Sequence, residues 1–350
     1  MKRKQNNLLG IFRFSIFLTV ILAGVTFWQL SWQGLWLFFV LLILEVTFSF
    51  DNAVVNSRTL ASMSLIWQRI FLTVGIFIAV FAVRFLLPIV IVIFASGLNF
   101  GEAVSMALNN PERYGHVLHD ASPMINAFGG IFLLMIGLSY FVDYNKQIHW
   151  VRGVEPWLAR AGKFENFRAC LILLVMVVLY FTVEEKYKAM ILISSVLGTL
   201  LHIGLELFGS LFGSHSSKDI KLKTGWAAFA AFLYLEVLDA SFSFDGVIGA
   251  FAITSSVILI TSGLSAGAIW VRSLTIYLMR SGTLSKYRYL EHGAHWAIVA
   301  LGVMMLFKLF HVELPEWITG SLGLAFIILA IGSSVIEARH AKNTKNLQSS

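Results

Sequence analysis

Two nearly identical strings carry the residues with chemical potential. FSFDN (48–52) ends the apolar run LWLFFVLLILEVTFSFDN, and FSFDG (242–246) ends WAAFAAFLYLEVLDASFSFDG. Aligned on those strings, Glu45 falls on Asp239 and Asp51 on Asp245, while Glu236 stands at the EVL that opens the second copy. Each copy is followed in the next apolar segment by an arginine, Arg84 in FAVRFLLP and Arg272 in AIWVRSL. Only the order of features repeats there, since the register is lost in between.

Carboxylates in hydrophobic segments need a reason. An ionised carboxylate at the bilayer centre costs roughly 2.5–3.5 kcal/mol by insertion scales. Glu45, Asp51, Glu206, Glu236, Asp239 and Asp245 all fall in apolar runs. Unassisted, they would together cost on the order of 15 kcal/mol, as much as a whole fold is worth. Arg84 and Arg272 are expected to neutralise at most two of them. The others must hold protons or share a cation. With the amide oxygen of Asn52 these groups are hard oxygen donors, suited to Mg²⁺, Ca²⁺ or Mn²⁺. The expected metal set is Glu45, Asp51, Asn52, Glu236, Asp239 and Asp245, with Arg84 and Arg272 pairing charge. No tightly bound cofactor is expected; the ion would be cargo.

Spacing adds a constraint. Glu236 and Asp239, three apart, share one helix face. Glu45 and Asp51, six apart, are separated by about 120° on an unbroken helix. They face one cavity only if the helix opens near the aspartate. Asn52 and Gly246, each directly after an aspartate, tolerate such an opening. His202 and Glu206, at i and i+4, form a rival metal-like pair, better read as a proton relay or a helix-packing hydrogen bond.

The elements that position these groups follow from composition. Of 350 residues, 58% are hydrophobic and 13% charged, with a mean hydropathy of +0.80, which implies an all-α polytopic membrane protein. The single cysteine, Cys170, excludes a disulfide framework and a thiolate cluster. Apolar runs long enough to span are expected near 11–30, 33–55, 70–95, 126–143, 168–184, 189–212, 226–250, 253–279, 294–310 and 317–336. MKRKQNN and the run after it lack a convincing small-residue cleavage site, so they read as an uncleaved first helix. The net charge of +7 gathers in alternate loops, including 144–168, while the opposite loops are short or acidic. That is the positive-inside pattern, with both termini cytoplasmic, and no nucleic-acid motif accompanies it. Trp28, Trp32, Trp36, Trp67, Trp226 and Trp317 sit near span ends, where interfacial aromatics belong.

The organisation that results is a basic tail with a first helix (1–32), repeat A (33–143), a basic loop with two linking helices (144–225), repeat B (226–336) and a tail (337–350). FSFDN lies on a span running inward and FSFDG on one running outward. The repeats are therefore expected to be inverted, as in many secondary transporters. The loop 96–125 is expected outside, as a vestibule or a re-entrant segment.

EVTFSFDNAVV (45–55) and EVLDASFSFDGVIGAFAIT (236–254), with the two arginines, resemble the TerC-like integral membrane proteins, part of a larger group that includes the lysine exporter. The resemblance covers about 33–336. It implies a multi-pass protein of a bacterial-type inner membrane, manganese export in some members and resistance to tellurium compounds in others. It marks Glu45, Asp51, Glu236, Asp239 and Asp245 as the acids that matter. Gly246 departs from the pattern, removing a serine hydroxyl that members often place there. The sequence thus leads to a divalent-cation exporter, Mn²⁺ favoured. The alternative is a non-transporting membrane scaffold that recruits stress-response partners through its cytoplasmic loops, chiefly 144–168; the partners expected beside the bilayer and the ion are such proteins or a second copy of the chain. No HExxH, GxSxG or nucleophile–base pair suggests an enzyme.

Overall fold

The computed structural model describes residues 9–164, 166–212, 222–312 and 316–348, without the side chains of Leu9, Phe212, Phe244, Asp245, Glu316, Trp317, Thr319 and 341–348, so Trp317 lies outside the described side chains. Fifteen α-helices follow in order: α1 (Arg13–Phe48), α2 (Phe50–Ala61), α3 (Leu65–Phe77), α4 (Leu87–Ser96), α5 (Phe100–Asn109), α6 (Pro111–Asp120), α7 (Ser122–Phe141), α8 (Glu155–Ala161), α9 (Phe167–Thr182), α10 (Lys188–Phe212), α11 (Gly225–Ile253), α12 (Val257–Ser281), α13 (Thr283–Lys286), α14 (Leu290–Lys308) and α15 (Glu316–Gln348). A π-helix, Ile78–Leu86, joins α3 to α4. Extended backbone pairs once among the described residues, in an isolated bridge between Met63 and Lys223. That bridge puts the end of α2 and the start of α11 on one face of the bundle.

Among the described residues, eight helices are long and apolar enough to cross a membrane, against the ten expected. The residues expected as spans one and two form one apolar stretch, Gly10–Phe48. Within it Ser31 has φ 58° and ψ −159°, outside the helical region. The chain reverses there. Ser15 bonds the carbonyl of Ile269 and the hydroxyl of Ser273 on α12, while Glu45 packs against Gly267 of the same helix. A straight helix rising about 1.5 Å per residue would carry Ser15 and Glu45 far apart, not to neighbouring turns of one partner. The expected fifth span is α9, 16 residues long. Glu184, Glu185 and Lys186 follow it directly, and at about 1.5 Å per residue it falls short of the hydrocarbon thickness.

Apolar side chains stay exposed where lipid would cover them. Leu173, Leu174, Val177 and Phe181 on α9 and Ile193, Leu197, Leu200 and Leu207 on α10 all face outward. In lipid this is the expected surface, because a helix satisfies its own backbone and needs no polar coat. Trp28, Trp32, Trp36 and Trp226 are likewise exposed. The central helix α7 is buried instead. A Cβ on Gly130 would stand 3.0 Å from the carbonyl of Gly302, and one on Gly302 would stand 2.9 Å from that of Gly130. The α7–α14 crossing therefore depends on small residues that bring two backbones together.

The halves interlock. The second limb of α1 lies along α12, α7 along α14, and α2 is held among α11, α12, α14 and α15. The first set of acids is thereby pressed against the second.

Candidate functional site

Glu45 is buried on the second limb of α1, one turn before the junction with α2. Its carboxylate accepts from Arg84 and from Ser49 Oγ at 2.9 Å. Arg84 lies in the π-helix and also donates to the carbonyl of Ala79 at 3.1 Å. A π-turn leaves carbonyls misaligned with the usual i−4 donor, and here the guanidinium uses one of them. Close approach of Glu45 to α12 requires Gly267, since a Cβ there would lie 2.5 Å from the Cβ of Glu45.

Repeat B is built differently. Arg272 on α12 grips Glu236 with both terminal nitrogens at 2.8 Å and reaches Asp239 at 3.2 Å. It also donates to the carbonyl of Phe71 at 3.2 Å and lies 4.2 Å from the centroid of that ring. Bidentate pairing is the strong arrangement for a guanidinium and a carboxylate. Gly75 on α3 makes room, because any Cβ would collide with Arg272 and Glu236.

Among the described side chains the two clusters meet across the repeats where Asn52 Nδ2 donates to Asp239 Oδ1 at 2.8 Å. Gly246, expected to open its helix, serves the contact instead, as a Cβ there would lie 3.3 Å from Glu45 Oε2. Asp51 faces α15, where the missing Cβ of Gly323 leaves space 3.2 Å from Oδ2. Among the described side chains of these two clusters, four buried carboxylates (Glu45, Asp51, Glu236, Asp239) stand against two guanidiniums. Asp51 Oδ1 and Asn52 Oδ1 are buried without a partner. Asp245 lies on α11, its side chain outside the described ones.

Three expectations change. The arginines engage three acids rather than two, since Arg272 spans Glu236 and Asp239. The helix is opened in repeat A but not in repeat B. Ser49, two residues before Asp51, has φ −101° and ψ 15° and separates α1 from α2, whereas α11 runs unbroken through Asp239 to Gly246. Packing of α2 against α11 then brings Asn52 to Asp239. Finally, Glu206 pairs with Arg168 of α9 at 2.8 Å. His202 stands 3.8 Å from Glu206 and 3.0 Å from Ser139 Oγ, with Nδ1 unpartnered. Arg168, which by position counts among the loop cations, closes that cluster.

Further buried oxygens escaped sequence reading. Asn56 Oδ1, Asn126 Oδ1, Ser243 Oγ and Ser265 Oγ lack partners. Neutral polar residues in apolar runs are common helix glue, so type and spacing do not distinguish them; only their missing partners do. No three histidine, cysteine or acidic groups among the described residues stand close enough to grip a bare metal ion.

At the face where α2 ends, the loop after α7 docks rather than lying free. Glu155 is fully buried and accepts from His292 at 2.7 Å, Trp296 at 2.9 Å and the Trp150 N–H at 2.7 Å. Burial pushes its carboxyl upward, but these donors outweigh it and hold the group below the usual carboxylate range. Lys146 sits 3.1 Å above the Tyr140 ring, and burial lowers its ammonium to about 8.

Residues 50–341 match the family described as "Protein of unknown function (DUF475)", and the chain belongs to it. No curated protein and no solved structure matches the chain.

Proposed function

We propose that this protein is a membrane transporter moving a divalent cation, Mn²⁺ favoured, out of the cytoplasm through the carboxylates where repeats A and B meet. The observation that carries the reading is a buried group of hard oxygens left unsatisfied. Asp51 Oδ1 and Asn52 Oδ1 lack donors, and Asn52 also meets Asp239, among acids that outnumber their arginines. Buried acceptors without partners are costly, and a cation satisfies several at once.

On this reading the chain makes ten spans. The eight long helices are supplemented by the reversal at Ser31 and by α9. Repeats A and B are inverted, both termini are cytoplasmic, and the membrane is of the bacterial inner type, in line with the TerC-like resemblance. An ion reaching Asp51 and Asn52 competes with Arg272 for Asp239. That contact, at 3.2 Å, is the longest of Arg272's carboxylate bonds, so it yields first while Glu236 keeps the guanidinium. Protons and metal then exchange on the same carboxylates, which couples their movements.

Cells lacking the protein and complemented with wild type should retain less manganese than cells complemented with Asp51→Asn. Equal manganese in the two would remove the transport reading. The competing reading is a non-transporting scaffold of a tellurium or metal stress-resistance complex. It draws support from the arginines, each of which neutralises acids of its own repeat. It predicts that Asp51→Asn leaves the phenotype intact while changes in loop 144–168 abolish it.

A further inference from the structure

The face opposite the Met63–Lys223 bridge holds a cavity of about 740 Å³. Its walls come from α6, the first turn of α7, the 3₁₀ turn Glu185–Tyr187 and the C-terminal ends of α11 and α14. These are the segments that charge placement assigns to the outside, so every outer connection except the reversal at Ser31 contributes to one chamber.

One wall is unusual for its residue types. Glu112, His116, His119 and Asp120 fall at i, i+4, i+7 and i+8 of α6, a single helix face, and all four line the cavity. The opposite face of α6 is fixed by Tyr114 and Leu118, which are buried in the core against α4. Asn110 caps the helix, its side chain accepting from the Arg113 N–H at 3.3 Å. The ligating face is therefore held toward the chamber by packing on the other side. Lys308 also lines the cavity, so two carboxylates on α6 stand against one ammonium.

A second observation points to a ligand. Asn126 lines the same cavity, is 4% exposed, and its Oδ1 has no partner. A buried amide oxygen in the wall of such a chamber needs a donor or a cation. No three histidines or acids here converge closely enough for a bare ion. The chamber has ample room for an ion with its waters, each taking about 30 Å³. Ile248, on the wall, lies one turn beyond Asp245 on α11, so the chamber stands over the FSFDG end of the carboxylate site.

We infer that this cavity is a binding site for a hydrated divalent cation, held through its waters by Glu112, Asp120, His116 and His119, with the Asn126 amide oxygen as its innermost contact. It deepens the cation-transport reading, which supplies the ion's route beyond Asn126, whereas the binding itself is independent of transport.

The test uses the full chain in lipid nanodiscs titrated with MnCl₂, followed by water-proton relaxation, which rises when hydrated Mn²⁺ is immobilised. Wild type should show a weak class of sites. Glu112→Gln with Asp120→Asn should weaken it by about tenfold, and His116→Ala with His119→Ala should weaken it further. These positions are exposed, so neither pair of changes threatens the fold. Asp51→Asn should keep the weak class. Superimposable titrations for wild type and Glu112→Gln/Asp120→Asn overturn the inference, as does loss of the weak class in Asp51→Asn. In vesicles, unchanged KM for Mn²⁺ without the α6 acids defeats the cavity alone. Binding at α6 with no Mn²⁺ movement supports the cavity and defeats the transport reading.

Discussion

The acid–arginine clusters of the two repeats start from the same motif and end in different states. In repeat B, Arg272 clamps Glu236 with two bonds and takes Asp239 with a third, and the Phe71 carbonyl and ring complete its surroundings. In repeat A, Arg84 holds Glu45, but Asp51 one step further on is left with an unpartnered oxygen. Among the described side chains, the second cluster is an anchor and the first contains the group still able to accept something. Matching sequence does not fix matching roles, because the partner arginine enters from a different helix at a different angle.

Breaking the anchor should have the largest effect. Arg272→Met strands two buried carboxylates, and loss of one partner from a buried pair costs about 3–5 kcal/mol. Thermal unfolding in detergent should show it, with a smaller loss for Arg84→Met, which strands Glu45 alone. Equal losses would erase the asymmetry. Gly75→Val comes next, since the new side chain displaces Arg272 and Glu236; overpacking costs about 1–3 kcal/mol and should be largely absent once Arg272 is already Met. Asn52→Ala removes the Asn52–Asp239 bond between the clusters, and loss of one hydrogen bond to a charged group should cost about 1.5–3 kcal/mol at most. Asp51→Asn should barely lower stability, as the carboxylate has an unpartnered oxygen to lose; a drop as large as that of Arg272→Met would show Asp51 to be structural.

The smallest effect concerns pH. Burial lowers Lys146 from 10.5 to about 8 in the folded protein. The unfolded chain therefore binds more protons between those values, and stability should rise as pH climbs through that window. Asp143, Glu155, Glu291 and Arg58 surround the ammonium, and all but Arg58 oppose the shift. Lys146→Met should flatten the rise; an unchanged pH profile would place the lysine in water instead.

The span pattern and the paired motif were legible because apolar length and a repeated pentapeptide are local properties. α9 was the weak span for the same local reason, the charges at 184–186. The arginine partners were legible in kind but not in number, since the reach of Arg272 to Asp239 depends on how α12 is rotated against α11. Glu155 gave no sign. It lies in a basic, aromatic loop that reads as interfacial, and its donors His292 and Trp296 come from a helix far along the chain. Arg168 was read as a loop cation because its partner Glu206 lies on another helix.

By itself the sequence determined that the chain is helical, membrane-bound and twice supplied with buried acids, because hydropathy and charge act residue by residue. Tertiary packing alone decided that α11 stays closed through Gly246, that Asn52 meets Asp239, and which oxygens are left without partners. Those outcomes depend on how close two backbones come, and on the glycines at 75, 246, 267 and 323 that let them.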